Sequence, residues 1–329
     1  MKIAVVGCGA VGSFYGAKLC RAGHDVHFLL RSDYDAVQRN GVWIRSADGD
    51  FTVRPNCAKS PTEIGPSDVV LIGLKTTANE QFPQLLPPLI GSATAVVTLQ
   101  NGLGNVEALA TLVPTAQIFG GLCFVCLNRI APGVIHHIDH GTIVLGHHQR
   151  RPGARTQALA AMFQGAGIHC KVAENLSRAH WEKLVWNIPF NGLGVGGVAG
   201  YEALTSETES FAPHESGGCL TTEQLLGSAR WENLVRELML EVIRSANALG
   251  FNLSEDLAEK QIERTRTMGA YKTSTLIDFE RGRPLELESL FFEPLRRAEA
   301  ARATVPRLRR LCAMLARLEA TLRRGKSGG

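Results

Sequence analysis

Residues 3–6, Ile-Ala-Val-Val, run straight into Gly7-Cys8-Gly9-Ala10-Val11-Gly12, and a helical pattern follows over residues 11–22. Glycine-rich hexamers arise by chance, but an apolar strand, a G-x-G-x-x-G turn and the start of a helix in this order leave few folds open. In that setting Gly7 permits the tight turn, Gly9 lets the backbone approach a pyrophosphate, and Gly12 lets the helix lie close on the sheet. Cys8, Ala10 and Val11 complete the cradle, with the positive end of the helix dipole behind it.

The pattern that follows is strand alternating with helix. Residues 25–30, 69–74 and 95–99 are continuous apolar runs of the kind found where both faces of a sheet are covered. Such alternation predicts right-handed βαβ units and a parallel sheet. Residues 134–138 and 142–145, joined across His140-Gly141, read as an appended hairpin. After residue 172 only helical periodicity remains, over about 176–198, 221–249, 253–268, 275–281, 286–301 and 306–324. The predicted architecture is α/β: a Rossmann-type doubly wound sheet over residues 1–173, then an all-helical domain over 174–329. Residues 205–218, rich in Ser, Glu and Gly, read as an exposed loop.

Composition narrows the function class. A net charge of +4, without long single-sign tracts, provides no footprint for nucleic acid. No apolar run reaches the ~18 residues of a membrane span. The first residues enter a strand without the charged and apolar regions of a signal peptide. Eight cysteines at irregular spacings do not form a disulfide framework. The expected protein is cytoplasmic, with reduced thiols and a small-molecule substrate.

The end of the second strand bears on the cofactor. A site for NAD usually places Asp or Glu there, to bind the ribose hydroxyls. Here the strand ends in Leu-Leu-Arg31-Ser32, and a guanidinium grips a 2′-phosphate that a carboxylate would repel. The expected cofactor is therefore NADP, with Asp33 and Asp35 left as turn residues. Lys75 and Asn101 follow the next two strands, where ligands of doubly wound sheets bind. Asn101-Gly102 is also a turn dipeptide, whose carboxamide can reach the nicotinamide end or the substrate.

In the second half, residues 181–191 read WEKLVWNIPFN. On a helix Lys183, Asn187 and Asn191 fall one above another on a single face, while nearly all the rest are apolar. One cation and two amides on a helix otherwise fit for burial call for a ligand. The glycines of residues 192–200 suit close packing against another backbone. Cys123 and Cys126 form a lone C-x-x-C in an apparent strand, and the histidines at 136, 137, 140, 147 and 148 lack catalytic-zinc spacing, so no metal is expected.

Taken together, GCGAVG, Arg31, Lys75, the Gln100-Asn101-Gly102 triplet, WEKLVWNIPFN and the later STLIDFERGRPLELE resemble the ketopantoate reductase (2-dehydropantoate 2-reductase) family. The resemblance implies NADPH-dependent reduction of a 2-oxo acid to a 2-hydroxy acid, as in pantothenate synthesis. It makes Lys183 the catalytic lysine, Asn187 and Asn191 substrate-binding amides, and Asn101 a contact of both cofactor and substrate. It further aligns Ser274 with a serine holding the substrate carboxylate, Glu286 with a catalytic glutamate, and, loosely, Cys126 with a position whose backbone meets the cofactor. Two departures stand out. Tyr201 replaces a third substrate-side asparagine, and Phe291-Phe292 replace a frequent Asn-Gly pair. They leave open a reductase for another branched or bulkier 2-oxo acid. From another class, the alternative is a non-catalytic NADP(H)-binding regulator, against which the intact Lys183, Asn187, Asn191, Ser274 and Glu286 argue. The Phe pair and the apolar helix faces are also compatible with a homodimer.

Overall fold

The computed structural model describes residues 1–206 and 217–326; of the loop expected at 205–218, residues 207–216 lie outside that description. The chain forms two compact units, Met1–Ala179 and His180–Gly329.

The first unit is built on one mixed sheet. Its strands are β1 (Lys2–Val6), β2 (Asp25–Leu29), β3 (Val42–Ser46), β4 (Phe51–Val53), β5 (Asn56–Ala58), β6 (Val69–Ile72), β7 (Ala95–Thr98), β8 (Ile118–Ala131), β9 (Val134–His147) and β10 (Cys170–Val172). Their order is β4-β3-β9-β8-β7-β6-β1-β2-β5, with β10 on β9. Within it β5-β2-β1-β6-β7-β8 are mutually parallel, which is the Rossmann order. Helices α1 (Ala10–Arg21), α2 (Tyr34–Asn40), α3 (Pro61–Ile64), α4 (Phe82–Leu85), α5 (Asn105–Ala110) and α6 (Ala154–Gly165) connect and cover it. The apolar runs have a direct reason. Ile3, Val5, Val69, Leu71 and Val97 pack into one core with Phe14 and Tyr15 of α1. Their alternates Ala4, Val6, Val70, Ile72 and Val96 pack into a second with Phe82, Leu86 and Leu109. Successive side chains point to opposite faces, so a strand covered twice must be apolar throughout.

The structure corrects the expected hairpin across His140-Gly141. Residues 134–147 are a single strand, and the hairpin partner of β9 is the equally long β8, turning at Pro132-Gly133. His140 and Gly141 do have positive φ (65° and 133°), but they form a bulge: Val125 faces His140, Phe124 faces Thr142, and Gly141 is the extra residue. A bulge and a turn use the same backbone conformations. The run at 69–74 is also shorter as a strand. It ends at Ile72, because Gly73 lies against Gly12, where an added Cβ would stand 2.8 Å from the Gly12 backbone.

The second unit is helical, with α7 (Leu176–Gly196) leading into it, then α8 (Tyr201–Thr205), α9 (Thr222–Leu226), α10 (Ala229–Ala248), α11 (Asp256–Arg266), α12 (Ser274–Glu280), α13 (Glu293–Ala300) and α14 (Pro306–Lys326). The expected helix 221–249 is two, broken at Gly227-Ser228, and that at 286–301 begins as a π-helical turn, Glu288–Phe292. The glycines of α7 and of the 3-10 turn after it (Gly197–Ala199) admit neighbours. A Cβ on Gly192 would lie 2.5 Å from Leu311 and 2.9 Å from Phe291, and one on Gly197 would lie 2.6 Å from Leu220. Phe291 is thus core rather than a surface for a second subunit. Among the described residues no helix is long and apolar enough to cross a membrane.

Candidate active site

The glycine turn after β1 separates fold from ligand space. Gly7 has φ 94°, and a Cβ there would stand 2.2 Å from the Leu74 nitrogen; on Gly12 it would stand 2.2 Å from the Gly7 carbonyl oxygen. These two glycines, with Gly73, are in backbone contact and belong to the fold. Around Gly9 nothing lies within 4 Å of an added Cβ. No side chain caps α1, and its first turn, starting with Ala10, Val11 and Gly12, holds no acidic residue. Its first amides and the positive end of its dipole therefore remain available to an anion. Burial, then Cys57 and Asp33, push the Cys8 thiol well up, so this cradle carries no thiolate to repel a phosphate.

Beyond β2, Arg31 is exposed, whereas Asp33 is buried. Asp33 is more than a turn residue. Its carboxylate accepts from Arg129 Nε (2.8 Å), Arg129 Nη2, the Gly133 amide (3.2 Å) and the Ser32 hydroxyl (3.0 Å), tying the β8–β9 hairpin to the end of β2. The acid nearest the strand end is thereby occupied, and the free charge at that end is the Arg31 guanidinium. The cradle and this charge fit a dinucleotide carrying a 2′-phosphate.

Lys75 stands three residues past β6, at the head of a 3-10 turn (Thr76–Gln81), and Asn101 three past β7. Sequence reasoning missed the amides that join them. Asn79 donates to Asn105 Oδ1 (2.9 Å), and Asn105 donates to the Asn101 carbonyl (2.9 Å). Cys126 is buried on β8, beyond the stretch paired to β7 and three residues before Arg129.

In the second unit Lys183, Asn187 and Asn191 follow one face of α7, as their spacing predicts. Asn191 is 3% exposed, and its Oδ1 accepts from the Thr275 amide (3.2 Å) and the Ser274 hydroxyl (3.4 Å). A backbone N–H only donates, so that carboxamide must turn its oxygen to α12 and its NH2 away from it. Asn187 is 7% exposed, and its amide makes no hydrogen bond among the described residues. Its carboxamide is not sealed from solvent, and without a protein hydrogen bond it can meet an incoming ligand. Thr273 Oγ1, by contrast, is fully buried without a partner. Ser274 is exposed at the start of α12, and Glu286 is half-buried just before the π-helical turn. The structure thus brings Ser274 to Asn191. Tyr201 packs edge-on against Trp231 (5.2 Å) beneath the Arg230 guanidinium (5.1 Å). Among the described residues no group of His, Cys, Asp and Glu is placed to hold a metal.

Comparison with known proteins settles the family. Two family profiles match, ketopantoate reductase PanE/ApbA over residues 3–150 and ketopantoate reductase PanE/ApbA C terminal over 217–319. The chain belongs to the ketopantoate reductase family. It is 38% identical to a 2-dehydropantoate 2-reductase of Nostoc sp., over 99% of this chain and 97% of that one. The crystal structure of 2-dehydropantoate 2-reductase from Geobacter metallireducens superposes with a TM-score of 0.87 at 44% identity, covering 96% of this chain and 99% of that chain. That of the Methylococcus capsulatus enzyme gives 0.84 at 35%, covering 98% of each.

Proposed function

We propose that this protein reduces 2-dehydropantoate to pantoate with NADPH, using the first unit for the cofactor and the second for the substrate. The observation that carries this reading is the α7 stripe, a cation and two buried amides of which Asn187 has no partner. Family membership supplies the reaction class. NADPH, when bound, supplies the hydride.

The chain's own residues do the rest. Gly7, Gly9 and Gly12 with the α1 amides cradle the pyrophosphate, Arg31 takes the 2′-phosphate, and Lys75 and Asn101 complete the cofactor side, with Cys126 lending backbone. Reduction of a ketone builds negative charge on its oxygen. Lys183 polarises that carbonyl and gives the alkoxide a proton, so one group serves as electrostatic stabiliser and general acid. Asn187 and the NH2 of Asn191 orient the substrate oxygens without adding a competing charge. Ser274 donates to the carboxylate, and Glu286 accepts from the nascent hydroxyl. Holding the reacting groups in register is worth several kcal/mol, on the order of 7 at the least where effective molarities are high.

Tyr201 favours one second reading. An aromatic ring anchored on Trp231 stands where the family pattern has an asparagine, which suits a bulkier 2-oxo acid. The test is NADPH oxidation with 2-dehydropantoate beside a panel of branched and aryl 2-oxo acids. Turnover highest on 2-dehydropantoate supports the first reading, and turnover confined to a bulkier acid replaces it. NADPH binding without turnover on any acid would make the protein a regulator.

A further inference from the structure

Four side chains in the first unit form a one-way line of hydrogen bonds. Thr98 Oγ1 donates to Gln100 Oε1 (2.9 Å), Gln100 Nε2 to Asn79 Oδ1 (2.7 Å), Asn79 Nδ2 to Asn105 Oδ1 (2.9 Å), and Asn105 Nδ2 to the Asn101 carbonyl (2.9 Å). Thr98, Gln100 and Asn105 are buried. One end dictates every orientation. A backbone carbonyl only accepts, so Asn105 must turn its NH2 to Asn101 and its oxygen to Asn79, which fixes Asn79 and then Gln100 in turn. At the far end the Thr98 hydroxyl, accepting from the Gln100 amide at 3.3 Å, has its proton left for Gln100 Oε1.

The line crosses between two strand ends. Asn79 sits on the 3-10 turn that Lys75 heads, and Asn105 opens α5 just past Asn101. Gly102 and Gly104, with φ of 83° and 87°, leave the intervening backbone few restraints of its own. We infer that Asn79, Gln100 and Asn105 are positioning residues, a polarised amide relay that holds Asn101 and the Lys75 turn in one geometry for the cofactor. This rests on the proposed cofactor-facing roles of Lys75 and Asn101.

The relay has an unusual failure mode. Changing any amide to its isosteric acid sets oxygen against oxygen, and each downstream amide must flip to recover a partner. In Gln100→Glu and in Asn79→Asp alike, the last flip turns the Asn105 oxygen onto the Asn101 carbonyl. In Asn105→Asp the donor is lost directly. Three substitutions at different distances should therefore give one phenotype, whereas Thr98→Val removes a donor and reverses nothing.

The experiment measures NADPH dissociation constants and thermal midpoints for the native protein, these four variants and Asn101→Ala. The three acid variants should each weaken NADPH about tenfold, the scale of one buried unmade hydrogen bond, and Thr98→Val by less. In Asn105→Asp the loss, taken as a ratio to native, should shrink as pH falls, because a protonated carboxyl donates to the Asn101 carbonyl again. A merely structural role predicts affinity losses that track the midpoints and no recovery at low pH, and that result overturns the inference. Unchanged affinity in the acid variants beside a weakened Asn101→Ala also overturns it, while leaving the cofactor site in place. Unchanged affinity in Asn101→Ala removes the site reading and the relay with it. If one acid variant fails to fold, native affinity in either of the other two counts against the relay.

Discussion

The two units prepare for ligands in opposite ways. In the first, the polar groups beside the glycine turn have already found each other: Asp33 is taken by Arg129, and Asn79, Gln100 and Asn105 by one another. Beside that turn the first unit leaves backbone open, at Gly9 and the start of α1, with the Arg31 guanidinium exposed beyond β2. In the second unit the backbone is closed inside α7, and what remains open is side chain: the Asn187 amide, the Asn191 NH2 and the Thr273 hydroxyl. A phosphate suits rigid backbone donors of fixed direction. A small oxygen-rich acid needs donors and acceptors aimed individually at each of its oxygens, which side chains provide.

The sharpest way to break this comparison lies in the glycine turn. Gly7→Ala puts a Cβ 2.2 Å from the Leu74 nitrogen at a φ of 94°, a clash and a backbone strain together, and should cost several kcal/mol, enough to leave little folded protein. Gly9→Ala meets nothing within 4 Å, so its thermal midpoint should match the native one while NADPH affinity drops. Equal melting of both variants would mean that Gly9 serves the fold and that the backbone opening is no ligand site.

On the side-chain half, Lys183→Ala should lower kcat by at least ~10²-fold, the usual scale of a positioned proton donor, with NADPH affinity intact. Turnover at the native rate would remove Lys183 from the chemistry. Arg31→Glu should weaken NADPH by about 10- to 100-fold, the range of a lost charge-assisted bond, while NADH holds or improves. Asp33 cannot take over ribose binding in the native protein while Arg129 holds it. Equal losses for both cofactors would point to damage of the fold instead.

A subtler contrast sets the two asparagines of α7 against each other. Asn191→Leu strips the acceptor from the Thr275 amide and should destabilise by about 1–3 kcal/mol. Asn187→Leu removes an amide that makes no protein hydrogen bond, so the free protein should hold its stability while KM rises. Thermal midpoints and KM measured side by side decide it. If Asn187→Leu melts like Asn191→Leu, the Asn187 amide is structural and the stripe loses its clearest ligand.

Legibility in the sequence followed the same division. β1, the glycine turn, α1 and the α7 stripe are each encoded in a short run of neighbouring residues, and periodicity alone places them. The relay was invisible because Asn79, Gln100 and Asn105 are adjacent only once β6 and β7 pair, from Val69 beside Ala95 to Ile72 beside Thr98. Asp33 looked like a turn residue because Arg129 is 96 positions away. His140-Gly141 looked like a turn because a bulge asks for the same φ. Gly73 gave no signal at all, since its necessity comes from Gly12, on another element.

Glu241 tests whether burial of a polar group in the second unit always marks a ligand. It is 2% exposed, and its two carboxylate oxygens accept from the amides of Arg307 (3.0 Å) and Leu308 (2.9 Å), capping α14 from the side. Burial raises its pKa, and those two amides offset the rise only in part. A carboxyl whose folded value lies above its unfolded one binds its proton more tightly in the folded state. Its contribution to stability is full below the unfolded value and is lost as pH rises through the folded one. Glu241→Gln has no proton to lose and offers one acceptor for two donors. It should be less stable than native at pH 4, by about 1 kcal/mol, with the gap narrowing between pH 4 and 7. A gap that widened with pH would show that the two amides outweigh desolvation at this site. A partnered buried carboxylate that changes stability and not KM is what separates the scaffold of this unit from the stripe on α7.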